Sequence, residues 1–198
     1  MRRLLAALLA AVLTAACASA PPPPPPDVVD AARALKSYSA NLSVKVGGRM
    51  HAPRTPVIVG FQRPDRLRLE MPAAGGARLI LVARDGQLTA VFPRSRAVFQ
   101  GPADRTVLGD ITGVALAPPD VMDFLIGAPP AAVTEYNVQW GPRLPRRVRG
   151  KLEDGTRLDV AVNDPTPGAA IEARAFEPPP HERYRRITAG EARELWSK

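Results

Sequence analysis

The feature that most constrains the fold is an alternation of apolar and polar residues that begins at Asn41. Leu42, Val44 and Val46 are apolar, and the residues between them are polar or charged. The alternation returns at residues 57–61, 67–71, 79–81, 88–92, 97–101, 134–140, 146–152, 156–163, 170–176 and 183–187. Because successive side chains of a strand point to opposite faces, the pattern predicts an antiparallel sheet of about eleven strands with one buried face.

Turn residues separate these segments. Asp85-Gly86 and Asp154-Gly155 are dipeptides that supply positive φ, and we expect a two-residue hairpin at each of them. Pro64 and Pro93 fall between two segments, where a strand must stop. Residues 107–127 lack the alternation and are predicted as non-strand.

Short helices accompany the predicted sheet. Residues 27–38 have the apolar spacing of an amphipathic helix that starts at Asp27. Residues 118–126 start with two prolines and stop at a glycine, and residues 188–191 have capping-box spacing before a last helical turn at 192–196. These helices are too few to cover the apolar face completely. A partly covered apolar concavity is a site for an apolar ligand.

The N-terminus has the organisation of a secretory signal. Two arginines follow Met1, and an apolar run then extends from Leu4 to Leu13. About ten apolar residues are too few for a transmembrane helix, which needs about twenty. Three small residues, Thr14 to Ala16, lead to Cys17, which is the one cysteine in 198 residues.

The segment that ends at Cys17 resembles a bacterial lipoprotein signal, in which a small residue precedes the cysteine that is acylated. The resemblance implies cleavage after Ala16 and covalent lipid, palmitate included, on Cys17. Thr14 stands where this family prefers leucine. Ala18 stands where an inner-membrane retention signal usually has Asp, which favours the outer membrane. The alternative is an ordinary secretory signal cut after Ala18-Ser19-Ala20, which would remove Cys17.

This interpretation divides the chain into three parts. Residues 1–16 form the signal peptide, residues 17–26 form the lipidated cysteine and a proline tether, and residues 27–198 form one domain. The six prolines from Pro21 to Pro26 would span roughly 19 Å as polyproline II. Because no second cysteine exists for a disulfide, the domain must be held by its core.

The sequence contains no set of residues that indicates catalysis or metal binding. His51 and His181 lie near prolines in predicted loops, and no cysteine other than Cys17 could join them as metal ligands. Asp120 and Asp123 are neighbours on one predicted helix, but such a pair usually stabilises a helix N-terminus. We therefore predict that the protein is not an enzyme and needs no cofactor. A hydrolase is the third hypothesis, and it would need Asp120 or His181.

The charge of the chain restricts its partners. It has 27 Lys and Arg against 19 Asp and Glu, for a net charge of +8. Arginines alternate with small or apolar residues at 143–151 and 183–186, as on the outer face of a strand. Such a face is either solvated or in contact with lipid phosphates. No nucleic acid is expected as a partner, because the chain is predicted to be exported and residues 143–151 lack the interleaved aromatics that stack on bases.

Residues 34–130 contain three stretches that together resemble a known family. They are "ALKSYSANLSVKV" at the first strand, "FQRPDRLRLEMP" around the second turn and "LAPPDVMDFLIGAPP" at the central helix. They are similar to the LolA/LolB-like family of periplasmic lipoprotein carriers and outer-membrane lipoprotein receptors. The resemblance implies an unclosed antiparallel β-barrel of about eleven strands, lidded by helices, that accommodates acyl chains of lipoproteins.

The first hypothesis is therefore an outer-membrane-anchored lipoprotein that faces the periplasm. Its half-barrel would bind acyl chains of lipoproteins or lipids, with a soluble periplasmic carrier as a further partner. The alternative is a non-catalytic envelope lipoprotein that serves as a protein-docking scaffold and has no cavity. The first hypothesis predicts a cavity lined by ten apolar residues: Leu42, Val44, Val59, Phe61, Leu67, Leu69, Leu81, Phe92, Phe124 and Leu125.

Overall fold

The computed structural model describes residues 26–47 and 53–197. The described residues form ten strands and four α-helices. The strands are β1 (Ser37–Gly47), β2 (Thr55–Gln62), β3 (Arg66–Ala73), β4 (Gly76–Arg84), β5 (Gln87–Phe92), β6 (Ala97–Pro102), β7 (Val133–Trp140), β8 (Pro145–Leu152), β9 (Arg157–Pro167) and β10 (Arg185–Arg186). The helices are α1 (Pro26–Arg33), α2 (Arg105–Thr112), α3 (Pro118–Leu125) and α4 (Ala189–Ser197).

All ten strands belong to one sheet in the order β10-β6-β5-β4-β3-β2-β1-β9-β8-β7. Neighbouring strands are antiparallel except β10, which pairs with β6 in parallel. The two end strands, β10 and β7, are not paired with each other, so the sheet does not close into a barrel. The predicted fold class, a mainly β and unclosed barrel with a few short helices, is confirmed.

The inner face of the sheet carries the main core. Leu42 on β1, Leu67 on β3 and Leu81 on β4 are at most 5% exposed, and they pack in one cluster with side chains of α2, α3 and α4. Residues on either side of them in the sequence point outward, as the alternation predicts. The helices therefore lie against one face of the sheet.

A C-terminal segment, residues 168–187, crosses the opposite, outer face of strands β2 to β6. Arg68 of β3 donates hydrogen bonds to the carbonyl oxygens of Ala175 and Glu177 at 3.2 and 3.4 Å. Phe176 is completely buried, and Tyr184 packs on an outer cluster formed by Ile80, Val82, Val91 and Val98. The segment ends in β10, beside β6, and the chain then continues into α4.

This segment explains why the strand predicted at residues 170–176 is wrong. Residues 173–176 form a 3-10 turn, because the segment packs through side chains on a face whose strands already pair with one another. The strand predicted at 183–187 is reduced to Arg185 and Arg186. The sheet thus has ten strands where about eleven were predicted.

Two further predictions differ from the structure in their bounds. The first helix ends at Arg33, not at Tyr38, because Tyr38 belongs to β1 and stacks on Phe61 with ring centroids 5.2 Å apart. The helix begins at Pro26, so the last residue of the predicted tether is helical. Asp85-Gly86 forms the two-residue hairpin, and both residues have positive φ. The turn at Asp154-Gly155 spans four residues instead, and only the glycine has positive φ.

Candidate functional site: an apolar cavity

An apolar cavity lies between the inner face of the sheet and the helices α2, α3 and α4. Its volume is about 120 Å³. Strands β1, β2, β3 and β9 supply Leu42, Val44, Val46, Thr55, Val57, Leu69, Met71, Leu158 and Val160, together with Pro53 before β2. The helices and the loop between α2 and α3 supply Leu108, Thr112, Val114, Leu116, Val121, Phe124, Leu125 and Trp196.

The lining offers almost no polar anchor to a ligand. Among the described lining residues, only Thr55 and Thr112 have polar side chains other than the indole of Trp196. The Thr55 hydroxyl donates to the Pro53 carbonyl at 3.3 Å, and the Thr112 hydroxyl donates to the Leu108 carbonyl at 2.6 Å. The Trp196 indole N–H donates to the Thr112 carbonyl at 3.3 Å. Each of these donors is therefore engaged within the protein, and the cavity selects for an apolar ligand.

Helix α3 forms one wall, and polar contacts outside the cavity hold it in place. The Asp120 carboxylate accepts a hydrogen bond from the Ala117 N–H at 3.3 Å, as expected at a helix N-terminus. Asp123 pairs with Arg63 at 2.5 Å, which ties the helix to the turn after β2. The Tyr136 hydroxyl donates to the Phe124 carbonyl at 3.1 Å, and the two rings meet edge to face at 5.6 Å. Burial raises the pKa of the Tyr136 phenol above its ordinary value.

Helix α2 forms the second wall, and the sequence analysis did not predict it. Asp104 caps it by accepting from the Val107 N–H at 2.8 Å, and Gly113 ends it with φ of 76°. Leu108 and Ile111 face the core. The sequence contains three signals of this helix: an N-cap aspartate, a helical apolar spacing and a C-terminal glycine. The sequence analysis predicts only that residues 107–127 are not a strand.

Helix α4 brings Trp196 to the cavity. The predicted capping box is confirmed, because the Glu191 N–H donates to the Thr188 hydroxyl at 3.2 Å and the Glu191 carboxylate accepts from the Thr188 N–H at 2.9 Å. Arg78 of β4 donates to the Trp196 carbonyl at 2.8 Å, and its guanidinium lies 5.3 Å from the indole centroid. Trp196 is thus held by Arg78 of β4 and by its hydrogen bond to the C-terminal end of α2.

The structure divides the ten predicted lining residues into two groups. Leu42, Val44, Leu69, Phe124 and Leu125 border the cavity. Val59, Phe61, Leu67, Leu81 and Phe92 face the same side of the sheet but are at most 2% exposed, and they pack into the main core away from the cavity. The period-two spacing indicates which residues face inward. It does not indicate which of these inward side chains border a cavity and which pack in the core.

Lining residues that the sequence analysis missed come from two sources. Leu158 and Val160 lie in the predicted strand at 156–163, so their inward positions followed from the alternation. Leu108, Leu116 and Trp196 come from helices or loops whose packing no local pattern indicates. The cavity is therefore assembled from residues 42 to 196 of the chain.

Several predictions concern residues outside the described part. The signal peptide, the lipid on Cys17, most of the proline tether and His51 all lie outside residues 26–47 and 53–197. Within the described helices, none is both long and apolar enough to span a membrane. Nor do the described residues bring three His, Cys, Asp or Glu side chains together as a metal site.

Comparison with known proteins found no matching family model and no matching curated protein. A crystal structure of an uncharacterized conserved protein from Thermus thermophilus has a TM-score of 0.46 and 11% identity, over 81% of this chain and 94% of that one. A domain described as an outer membrane lipoprotein-sorting protein, from Vibrio parahaemolyticus, has a TM-score of 0.41 and 8% identity, over 76% and 94%. A DUF1329 family protein from Desulfovibrio piger has a TM-score of 0.41 and 10% identity, over 76% and 95%. With TM-scores below 0.5, these likenesses do not assign a function.

Proposed function

We propose that this protein is a non-catalytic lipoprotein of the cell envelope that binds an acyl chain in the apolar cavity. The observation that carries the proposal is the lining: apart from Thr55 and Thr112, every described lining side chain is apolar or, as Trp196, has its one donor engaged. An apolar ligand gives up no hydrogen bonds to water when it enters such a site. Each methylene that leaves water contributes about 0.8 kcal/mol.

The size of the cavity determines how an acyl chain would enter. A cavity of about 120 Å³ is similar to the ~150 Å³ cavity that takes benzene in another protein, and it is smaller than most ligand pockets. A long acyl chain therefore requires the cavity to widen. Val44, Leu69, Val121 and Trp196 are partly exposed lining residues and mark the mouth. Widening there needs a shift of α3 or α4 away from the sheet, while the sheet itself stays paired.

The cellular role follows from the sequence resemblance. The lipoprotein signal at Cys17 and the proline tether favour a protein that is anchored in the outer membrane and faces the periplasm. There it would act in lipoprotein or lipid trafficking, and it would receive its ligand from a soluble periplasmic carrier. The protein-docking scaffold predicts a chain that binds no acyl ligand, so a ligand-binding measurement separates the two.

The test is displacement of a fluorescent fatty-acid probe by saturated fatty acids of increasing length. We expect the affinity to rise with chain length until the cavity is full. Val44→Asp places a carboxylate in the lining and should weaken probe binding at least tenfold, because an uncompensated buried polar group costs about 1–3 kcal/mol.

Ser43→Asp is the matched control, because Ser43 is the adjacent residue on β1 and points to the outer face beside Arg54. This variant should bind the probe as the parent does. A protein that is isolated free of lipid and binds no probe would support the scaffold and reject acyl binding. Equal loss in both variants would show that the aspartate acts through folding and not through the lining.

A further inference from the structure

The outer face of β1, β8 and β9 carries a dense group of cations that the cavity does not explain. We call it the basic face and define it by the outward cations of these strands together with Arg54, which precedes β2 and reaches Asp159: Lys45, Arg54, Arg147, Arg149, Lys151 and Arg157. The cations on the strands alternate with residues that face inward, such as Leu158 and Val160. Strands β1 and β9 therefore line the apolar cavity on one side and the basic face on the other.

One carboxylate sits at the centre of this group. Asp159 of β9 accepts two hydrogen bonds from Arg147, at 2.6 and 2.5 Å, and lies 2.9 Å from Arg54 and 3.7 Å from Arg149. The Arg147 hydrogen bonds lower the pKa of the Asp159 carboxyl, so it stays ionised. One negative charge thus holds three guanidinium groups together, and two positive charges remain in excess.

The positive charges of the other three cations are balanced even less by neighbouring carboxylates. Lys151 pairs with Glu135 at 2.8 Å. Lys45 and Arg157 form no salt bridge with any other described residue. Arg157 stands directly opposite Lys151 in the β8–β9 ladder, and like charges in that position destabilise a sheet. Six cations face two carboxylates, so the arrangement costs stability unless an anion is bound.

The basic face also has the shape of a binding site. A groove of about 1240 Å³ runs across it, with Lys45 and Arg54 on one side and Arg149 and Lys151 on the other. Strands are about 4.8 Å apart, so cations on β1, β9 and β8 are spread over about 10 Å between the outer two strands. None of the described outward residues that line the groove is aromatic, because Tyr136 points to the inner face and donates to the Phe124 carbonyl. Apart from Gly47, these outward residues are charged or polar, and such a surface suits phosphates better than the apolar centre of a protein interface.

The predicted lipid anchor favours a bilayer over other anionic partners. Cys17 precedes the first described residue, Pro26, by nine positions, and the six prolines that end at Pro26 would span roughly 19 Å. A lipid on Cys17 would therefore keep the domain close to a membrane, where a face with excess positive charge meets anionic headgroups.

We propose that the basic face binds the phosphate groups of an anionic phospholipid bilayer. The contact would orient the domain on the membrane, with the outer face of β1, β8 and β9 towards the headgroups. This contact uses a different face from acyl binding, because the cavity lies on the inner side of β1 and β9. The groove and the cavity meet at Val46, Pro53 and Leu158. An acidic protein is the competing occupant.

The test uses the processed chain, residues 17–198, with Cys17→Ser so that no acyl anchor contributes. This chain contains the entire described core, from Ala32 to Ala192. Its partition onto vesicles of phosphatidylcholine with phosphatidylglycerol is compared with vesicles of phosphatidylcholine alone. We expect binding to the anionic vesicles only, and we expect added salt to weaken it.

The decisive variant neutralises three exposed cations of the basic face, as Lys45→Gln, Arg149→Gln and Arg157→Gln. At about 1 kcal/mol for each basic residue near an anionic surface, binding should fall on the order of 100-fold. The matched control removes the same charge elsewhere, at three exposed cations outside both basic segments, as Lys36→Gln, Arg96→Gln and Arg174→Gln, and should bind nearly as the parent does. The melting temperature of the basic-face variant should be unchanged or higher, since like-charge repulsion is relieved.

Three outcomes would overturn the proposal. Equal binding to neutral and anionic vesicles would assign membrane contact to apolar insertion. Equal loss in the two triple variants would assign it to net charge alone. Binding to polyglutamate with none to anionic vesicles would identify an acidic protein as the partner. If the triple variant melts below the parent, the Lys45→Gln and Arg157→Gln double variant, which breaks no salt bridge between described residues, replaces it.

Discussion

The two halves of the sheet use the same strand pattern but treat their outer faces differently. In β4 and β5, every residue from Leu79 to Ala83 and from Leu88 to Phe92 is buried, because the C-terminal segment covers the outer face. In β7, no residue is buried, and the outer faces of β8 and β9 carry arginines and a lysine. The half that contains β4 and β5 is thus packed on both faces, and the half that contains β7, β8 and β9 is packed on its inner face only.

This difference indicates how stability and binding are distributed in the molecule. Strands that are covered on both faces resist local opening, whereas strands with a solvated face and few buried contacts open more easily. The cavity lies against β1, β2, β3 and β9. These strands stand between β4, which is covered on both faces, and β8, whose outer face is solvated. We infer that the doubly covered half is the fixed part against which α3 and α4 can shift.

The largest effect is expected where the C-terminal segment is anchored. Phe176 is completely buried between this segment and the sheet. Phe176→Ala should lower the free energy of unfolding by about 3–5 kcal/mol, the usual cost of removing a buried phenyl ring. Urea denaturation followed by circular dichroism measures it. A loss below about 1 kcal/mol would mean that the segment contributes little and that the two halves are equally stable.

The same substitution at two isoleucines compares the covered part of the outer face with an uncovered part. Ile58 of β2, Glu70 of β3 and Ile80 of β4 form one row of directly paired residues on the outer face. Ile80 is 8% exposed under the C-terminal segment, and Ile58 is 46% exposed. Ile80→Ala should cost about 2–5 kcal/mol, and Ile58→Ala about 0.5 kcal/mol or less. Equal losses in urea denaturation would contradict the assignment of the covered half.

Sequence patterns predicted the inner face well and the outer face poorly. Leu79 and Leu81 were identified as inward residues from their spacing, but Ile80 and Val82 between them are apolar too. A continuous apolar run of this kind is typical of a strand covered on both faces. The sequence analysis predicts only one buried face and does not use this signal, which in any case would not indicate the element that covers the strand. The cover comes from residues about a hundred positions later, and no local rule predicts such a contact.

The cavity shows the same limit. Val44 and Leu69 border the cavity, whereas Phe61 and Phe92, which follow the same alternation, pack in the core. Whether an inward side chain meets a cavity or another side chain depends on where α2, α3 and α4 lie. The capping residues at Asp104 and Thr188 predict that helices start there, whereas their positions over the sheet depend on long-range packing.

The smallest expected effect concerns the cap of α4, which connects the edge of the covered half to the cavity. Hydrogen bonds from the Thr188 N–H and from Arg185 lower the pKa of the Glu191 carboxyl to about 2, from a usual 4.5. A depressed pKa means that the ionised carboxylate stabilises the folded cap above pH 4.5, and that this contribution is lost as the pH falls towards 2. The group is exposed, so solvent screening keeps the effect modest.

Trp196 on the same helix reports the change when Trp140→Phe removes the second tryptophan. Its emission should shift to the red between pH 4.5 and about 2 as α4 loosens from α2 and Arg78. Other carboxylates titrate in this range, so the comparison is with Glu191→Gln in the same background. That variant should lack this part of the acid transition, because the glutamine carbonyl can still accept from the Thr188 N–H but does not titrate. Superimposable acid transitions in the two proteins would mean that α4 is held by Arg78 and core packing alone, and that the mouth of the cavity widens at α3 instead.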